Sequence, residues 1–179
     1  EDMVRHGKFL GDCAITAGVP TIIRLASFGI DPKSHTYVGS QGPLGDAHIT
    51  LENYYSELGL QVVSVRPTSF VSNLNFNLQE IRSQSTMSTP LGKLAKVNWV
   101  SCNDIAAVVA KVLEAPPDRW DRYGSAIDVT GPAENTLSGP GMAEILTSRL
   151  LMGSPSSTRR PIIIYKETDI PPSPDYAGL

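Results

Sequence analysis

The amino-acid sequence predicts an α/β fold that is built on a mainly parallel β-sheet. Three observations predict this class. Short runs of β-branched and apolar residues have the composition of buried strands. Amphipathic segments with helical spacing lie between these runs. Residues 21–73 contain a strand, a crossover helix and a second strand in succession, which is typical of parallel sheets.

The chain begins with a predicted amphipathic helix. Residues at spacings of three and four form one helical face, namely Met3, His6, Leu10, Cys13 and Ala17. We expect this face to be buried. Gly18 favours a left-handed cap, and Pro20 indicates that the helix has ended.

The next three elements form the strand–helix–strand unit. Residues 21–27 and 60–65 are predicted to be buried strands because nearly all their side chains are apolar or β-branched. Pro43 is suited to the first turn of the helix between them, and Gly59 ends it. The predicted inner stripe of this helix is Leu44, His48, Leu51, Tyr55 and Leu58.

The second half of the chain continues the alternation. Residues 75–90 are polar, and we interpret them as a helix end followed by a mobile loop. The pattern then predicts strands over 97–100, 126–129 and 161–166, and helices over 105–115 and 142–151. Ser101 and Asp104 have the spacing of a capping box at the start of the first of these helices.

Composition limits the classes of partner. The chain has 179 residues, 41% of them hydrophobic, which suits one domain. With a net charge of −3 and no basic run longer than two residues, we expect neither nucleic acid nor an anionic membrane as a partner. Two cysteines are too few for a disulfide framework and lack metal-ligand spacing. The chain is therefore expected to be cytoplasmic and without a metal site.

Polar or small residues follow both strands of the central unit. These are Ser27 and Phe28 after the first strand, and Pro67, Thr68, Phe70 and Asn73 after the second. In an open parallel sheet, ligands bind beyond the carboxyl ends of the strands. The Ser27 hydroxyl is suited to bonding a substrate carbonyl or a ribose, and Phe28 is suited to a flat ring. Alternatively, Ser27 caps its own turn.

The residues that follow the second strand form a more specific pattern than those that follow the first. Pro67 lacks an N–H, which leaves a neighbouring backbone group free to meet a carboxamide. Asn73 is placed to complete that contact. The alternative is a simple turn at the end of the strand, with Arg66 in solvent.

His48 is the candidate proton donor. It lies on the predicted inner stripe of its helix, with Glu52 one turn further on. The alternative is a packed core histidine, and we favour this alternative because a lone histidine on an apolar face is more often structural.

The glycines at positions 39, 42 and 45 spell GxxGxxG directly before a helix. A dinucleotide-binding turn needs a buried strand running into its first glycine. Residues 33–38 make a poor buried strand, and Pro43 removes one N–H that phosphates would use. We therefore interpret the pattern as a flexible loop that leads into a helix.

Five segments together resemble NmrA-like proteins, which are atypical short-chain dehydrogenase/reductases related to isoflavone-reductase-like and festuclavine-dehydrogenase-like enzymes. The segments occur in the family's order: AGVPTIIRLASFG, PLGDAHITLE, VVSVRPTSFVSN, VNWVSCNDIAAVVAKVL and AIDVTGP. The resemblance implies a Rossmann-like fold, NAD or NADP as cofactor and a small-molecule substrate. Ser27 and Phe28 match family positions that lie near the nicotinamide. His48 matches a histidine that is common in the corresponding helix of the family.

The resemblance also implies further site residues. Pro67, Thr68, Phe70 and Asn73 match the family's second cofactor-facing turn. His48 or Tyr37 would donate a proton, while Ser27 would orient the substrate. The Tyr-x-x-x-Lys pair of short-chain dehydrogenases is absent, and Ala47 and His48 occupy the region where isoflavone-reductase-like members use a lysine.

The same comparison suggests that the chain is cut at both ends. We expect one partial NAD(P)-binding domain over 1–179, without the N-terminal half-sheet, and with 132–179 contributing to a small C-terminal substrate lobe. The expected function is an NAD(P)-dependent oxidoreductase. The alternatives are a non-catalytic NAD(P)-sensing regulator and an inactive remnant. A missing half-sheet would also leave a sheet edge exposed for self-association.

Overall fold

The computed structural model of the chain describes residues 2–33, 42–89, 93–116, 119, 125–152 and 163–167. The helices are α1 (Asp2–Thr16), α2 (Gly42–Glu57), α3 (Leu78–Gln84), α4 (Cys102–Glu114) and α5 (Gly139–Met152). The strands are β1 (Thr21–Leu25), β2 (Gln61–Pro67), β3 (Ser69–Phe70), β4 (Thr86–Thr89), β5 (Lys96–Val100), β6 (Ala126–Val129), β7 (Thr136–Ser138) and β8 (Ile164–Glu167). Short 3-10 helices span Val71–Asn77 and Ala133–Asn135.

The described residues divide into two compact units. The first contains described residues of 2–68 and 103–129, and the second contains those of Ser69–Cys102 and of 130–167. None of the helices in the described ranges is long and apolar enough to cross a membrane.

The first unit is built on a parallel sheet in the order β1-β2-β6. Strand β2 lies in the centre, and Val63 and Val65 are almost completely buried there because the strand is covered on both faces. Val63 packs with Val112 and Ala115 from the α4 region. The predicted α/β class with a mainly parallel sheet is confirmed.

Helices α1 and α2 pack closely because two glycines of α1 face α2. A Cβ at Gly7 would lie 2.5 Å from Leu51, and one at Gly11 would lie 2.8 Å from the Tyr55 ring. The Tyr55 hydroxyl donates a hydrogen bond of 2.8 Å to the Gly7 carbonyl. The buried face of α1 is thus formed by glycines, and the predicted stripe is wrong beyond Met3: His6, Leu10, Cys13 and Ala17 are exposed.

The ends of these helices follow the sequence prediction. Gly18 and Gly59 adopt φ values of 69° and 73°, the left-handed conformation that glycine adopts without strain. In α2 the predicted burial of Leu51 and Tyr55 is confirmed. Leu44 is 57% exposed, so the inner stripe does not extend to the first turn.

The second unit contains a mixed sheet in the order β3-β5-β7 and a parallel pair of β4 with β8. Its core contains Met87, Trp99, Met142, Ala143 and Ile163. The predicted strand over 97–100 is confirmed within one residue, and the strand predicted over 161–166 is confirmed from residue 164 onward, while 161 and 162 lie outside the described residues. Both strands belong to this unit and not to the β1-β2-β6 sheet.

In the interpretation of residues 75–90, the helix end is confirmed and the mobile loop is wrong. Helix α3 and strand β4 occupy most of this segment, separated by Ser85 with a φ of 54°. The Glu80 carboxylate joins the two elements, since it accepts hydrogen bonds from the hydroxyls of Thr86 and Ser88 at 2.9 and 2.6 Å. Burial of Met87 then stabilises β4 against β8.

Candidate functional site

The carboxyl ends of β1 and β2 lie side by side, as the sequence predicts. The ladder continues past the end of β1, because the Phe28 N–H donates a hydrogen bond of 3.0 Å to the Pro67 carbonyl. The Thr68 N–H donates one of 3.0 Å to the Val129 carbonyl of β6. The fold thus brings Ser27, Phe28, Pro67 and Thr68 to one edge of the parallel sheet, and all except Pro67 are partly exposed there.

Pro67 changes the backbone hydrogen bonding at this edge. In the parallel register, the Ala26 N–H donates to Val65 and the Phe28 N–H donates to Pro67. The intervening bond of this ladder would run from residue 67 to the Ala26 carbonyl. Proline has no N–H, so it cannot donate that bond. The Ala26 carbonyl is therefore the neighbouring backbone group that Pro67 leaves without its ladder partner.

The other candidates for cofactor binding lie in the second unit. Phe70 pairs with Val100 of β5 and is partly exposed. Asn73 is exposed in the 3-10 helix Val71–Asn77. Their assignment to a cofactor stays a prediction. Tyr37, the second candidate proton donor, and Gly39 lie outside the described residues.

His48 is held by an arginine of the central sheet. Arg24 of β1 donates from Nη1 to the His48 backbone carbonyl at 2.8 Å, and its Nη2 lies 2.8 Å from the His48 Nδ1. A guanidinium has donors and no acceptor, so Nδ1 must be the acceptor. This geometry requires a neutral imidazole whose proton is on Nε2.

Arg24 and His48 belong to a larger charged cluster, which we define as Arg24, Asp31, His48, Glu52 and Arg66. Glu52 lies between the arginines, with Oε1 3.7 Å from the Arg24 Nη1 and Oε2 2.6 Å from the Arg66 Nη2. The Arg66 Nη1 is also 3.4 Å from the Asp31 Oδ2. Arg66 is 5% exposed, so the interpretation of Arg66 as solvated is wrong.

The cluster changes the protonation of its members. Burial lowers the pKa of His48 below its ordinary value, and the charge of Arg24 lowers it further. Glu52 opposes this shift, without reversing it. Burial also lowers the pKa of Arg24, although a guanidinium remains charged at neutral pH. His48 is therefore a neutral hydrogen-bonding group at neutral pH.

Arg24 is a member of the cluster that was not predicted from the sequence, and Arg66 is buried although it was expected in solvent. A usable pattern was present, since both arginines lie inside strands that are otherwise apolar, TIIRL and QVVSVRP. A charge in a buried strand needs a partner of opposite charge. Glu52 and His48, one turn apart on α2, were the available partners.

The glycine pattern before α2 does not take the form of a phosphate-binding turn in the described part of the chain. Gly42 and Gly45 lie within α2 and are buried. In the described ranges, no three His, Cys, Asp or Glu side chains are grouped closely enough to hold a metal ion.

A profile of the NmrA-like family matches residues 1–168. The chain belongs to the NmrA-like family. This NmrA-like chain is 32% identical over 147 residues to an NAD(P)H azoreductase of Xenophilus azovorans, a match that covers 82% of this chain and 47% of the azoreductase. The chain thus spans about half the length of the curated relative that it matches.

Solved structures of about twice this length share the fold. The triphenylmethane reductase of Citrobacter sp. in complex with NADP(H) superposes with a TM-score of 0.67 at 16% identity, over 91% of this chain and 50% of the reductase. NmrA, a negative transcriptional regulator in complex with NAD, gives a TM-score of 0.63 at 21% identity, over 92% of this chain and 48% of NmrA. These likenesses confirm the Rossmann-like fold of the NmrA-like chain.

Proposed function

We propose that this protein is an NAD(P)-dependent oxidoreductase acting on a small organic molecule. The observation that carries the proposal is the edge formed by β1 and β2, where Ser27, Phe28 and Thr68 are partly exposed and Pro67 leaves a backbone carbonyl without its ladder partner. Membership of the NmrA-like family and 32% identity to an NAD(P)H azoreductase support the same reading.

At this edge, the described residues would hold the nicotinamide end of the cofactor. The Ala26 carbonyl, freed by Pro67, would accept a hydrogen bond from the carboxamide, and Phe28 would pack against the ring. Thr68 would add a hydroxyl. When bound, the nicotinamide supplies a hydride. No glycine turn suited to the pyrophosphate is found in the described ranges.

The substrate would lie on the same edge of the sheet. Ser27 would orient it through its hydroxyl, with His48 or Tyr37 as the candidate group that supplies a hydrogen bond or a proton. Because the related azoreductase is named for azo reduction, an azo dye is the first substrate to test, followed by triphenylmethane dyes.

The second candidate is a non-catalytic NAD(P)-sensing regulator. Two observations favour it: the likeness to NmrA in complex with NAD, and the absence of a Tyr-x-x-x-Lys pair from the sequence. A sensor would bind the cofactor and a partner protein, and would not oxidise NAD(P)H when substrate is added.

Absorbance of NAD(P)H, followed with and without an azo dye over a wide range of cofactor concentration, distinguishes the two. The oxidoreductase predicts dye-dependent oxidation that Ser27→Ala lowers by about tenfold or more, since Ser27 orients the substrate. Ser83→Ala, on exposed α3, serves as the matched control and should keep the wild-type rate. Cofactor binding without dye-dependent oxidation would favour the sensor.

A further inference from the structure

The imidazole of His48 has its two nitrogens in different situations. Nδ1 lies 2.8 Å from a guanidinium nitrogen of Arg24. Among the described residues, no side chain or backbone group bonds Nε2. One nitrogen is therefore fixed by the fold, and the other has no hydrogen-bond partner within the part of the chain that the structure describes.

Arg24 is itself held in place. Its Nη1 donates to the His48 backbone carbonyl, so one guanidinium contacts the same residue twice. Its side chain is 10% exposed and lies 3.7 Å from Glu52, and its guanidinium carbon lies 6.0 Å from the Tyr55 ring centroid. Such a guanidinium is preorganised, because its planar donors have few alternative partners.

The charges around His48 favour the neutral ring. Arg24 on β1 and Arg66 on β2 face the carboxylates of Glu52 on α2 and Asp31 after β1. Two positive groups meet two negative groups, so the cluster is neutral only while His48 is neutral. A proton on Nδ1 would also replace the Arg24 hydrogen bond with a repulsion between two cations.

We propose that Arg24 is a positioning residue that fixes His48 as the neutral Nε2–H tautomer, and that His48 thereby serves as a hydrogen-bond donor to an electron-rich acceptor atom of the substrate, such as a carbonyl oxygen or an azo nitrogen. A neutral imidazole can polarise such an acceptor without giving up its proton, as the neutral histidine of triosephosphate isomerase does. The substrate part of this inference rests on the proposed oxidoreductase function. The assignment of the tautomer is independent of that function.

The consequence is a role for His48 different from that of a titrating acid. No proton leaves Nε2, so the proton of the reduction comes from another group or from water. His48 stabilises charge on the acceptor instead, which requires a fixed ring orientation more than a matched pKa.

Long-range ¹H–¹⁵N correlation spectra of the imidazoles test the tautomer directly. The chain has three histidines, and His48→Gln identifies the His48 signals by their loss. In the wild-type protein at pH 7 we expect a protonated Nε2 and an unprotonated Nδ1. Arg24→Met removes the donors to Nδ1 and should let both tautomers populate.

Arg5→Met is the matched control, since Arg5 contacts His6 at 3.3 Å on the exposed side of α1. It should leave the His48 signals unchanged. A doubly protonated His48 or an Nδ1–H tautomer in the wild-type protein at pH 7 would overturn the proposal, whether or not Arg24→Met folds. So would an unchanged tautomer in folded Arg24→Met. Absence of NAD(P)H oxidation would count against the oxidoreductase and would not alter these spectra.

Discussion

At the scale of single residues, the cluster of Arg24, Asp31, His48, Glu52 and Arg66 connects the site to the stability of the first unit. Glu52 contacts both arginines, and its side chain is 16% exposed. Buried ion pairs contribute little relative to apolar replacements, but removing one member leaves an uncompensated charge. Neutralising Glu52 should therefore destabilise the fold.

Glu52→Gln keeps the size of the side chain and removes its charge. We expect a loss of roughly 3 kcal/mol in the free energy of unfolding, because Arg24 and Arg66 would keep their burial without this carboxylate. Urea denaturation at pH 7 measures the loss. Glu114→Gln is the control, since it breaks an exposed pair with Lys111 on α4 and should change the free energy by less than about 1 kcal/mol. Equal losses in the two variants would refute the prediction.

The lowered pKa of His48 makes stability depend on pH. The unfolded chain binds a proton at the ordinary histidine pKa of 6.5, whereas the folded chain binds it only at a lower pH. The stabilisation is complete above 6.5 and is lost as the pH falls from 6.5 through the lower folded pKa.

Melting temperatures measured from pH 7.5 downward check this expectation. His48→Gln should flatten the part of the curve just below pH 6.5, since glutamine does not titrate. His6→Gln, on the exposed side of α1, leaves the cluster intact and should keep the wild-type slope. A His48→Gln curve parallel to the wild-type curve would show that His48 does not cause the pH dependence.

At the scale of helices and strands, local sequence patterns predict the elements that are apolar and buried along their whole length. The run Gln61–Pro67 is apolar enough to be identified as a central strand without further information. Strand β4 is not, because its composition is polar and its partner β8 is distant in the chain. Likewise, α1 packs against α2 through glycines, which give no hydrophobic pattern. The hydrophobic periodicity therefore indicated the face of α1 that is exposed.

The candidate site likewise contains one feature that the sequence predicts and one that it does not. The rule for parallel strands predicts that Ser27 and Pro67 lie at one edge, since it depends only on the strand ends. The Arg24–His48 contact depends on which face of α2 lies over β1, and spacing along one helix does not determine that. The partner of His48 is therefore Arg24, although Glu52 was the residue that the helical spacing indicated.

The close approach of Gly131 to the backbone of β5 can be tested by a single substitution. Gly131 follows β6 in sequence, and a Cβ there would lie 2.0 Å from the Trp99 carbonyl oxygen of β5. The Gly131 N–H also donates a hydrogen bond of 2.7 Å to the Asn98 side chain. Since the obstacle is backbone, Gly131→Ala should cost about 3 kcal/mol or more.

Gly141→Ala is the matched control in the same unit, because a Cβ at Gly141 would lie 3.5 Å from its nearest neighbour, the Ser138 hydroxyl oxygen. Alanine in the first turns of α5 should be neutral or stabilise by up to about 1 kcal/mol. Unfolding of both variants by urea compares them, and a Gly131→Ala variant as stable as Gly141→Ala would contradict the close approach.

At the scale of the whole molecule, the two compact units divide the candidate residues. Ser27, Phe28, Pro67 and Thr68 belong to the first unit, while Phe70 and Asn73 belong to the second. The single partial domain over 1–179 and the substrate lobe over 132–179 stay predictions. Ser69–Cys102 joins described residues of 130–167 in the second unit, an association of distant segments that local patterns do not reveal.

Cofactor affinity is a property of the whole chain. The proposed contacts are to the nicotinamide, and the described ranges contain no glycine turn for the pyrophosphate, where dinucleotide sites make much of their contact. We expect the 179-residue chain to bind NAD(P)H more weakly than micromolar. Calorimetric titration measures the constant, and a micromolar or tighter value would direct attention back to residues 39–45.

The exposed edge of the sheet gives the last prediction. Among the described strands, β1 is paired only with β2, so its other side presents unpaired backbone groups, and Leu25 at its end is 51% exposed. Such an edge is a template for pairing with a second copy, and a charge placed on it opposes pairing. We expect the 179-residue chain to self-associate in sedimentation velocity as its concentration rises, and Leu25→Lys to shift it toward monomer. Leu113→Lys, which places the same charge on a leucine of α4 that is 62% exposed, should not. A monomeric wild-type chain at high concentration, or equal dissociation by both lysines, would show that this edge is not the contact.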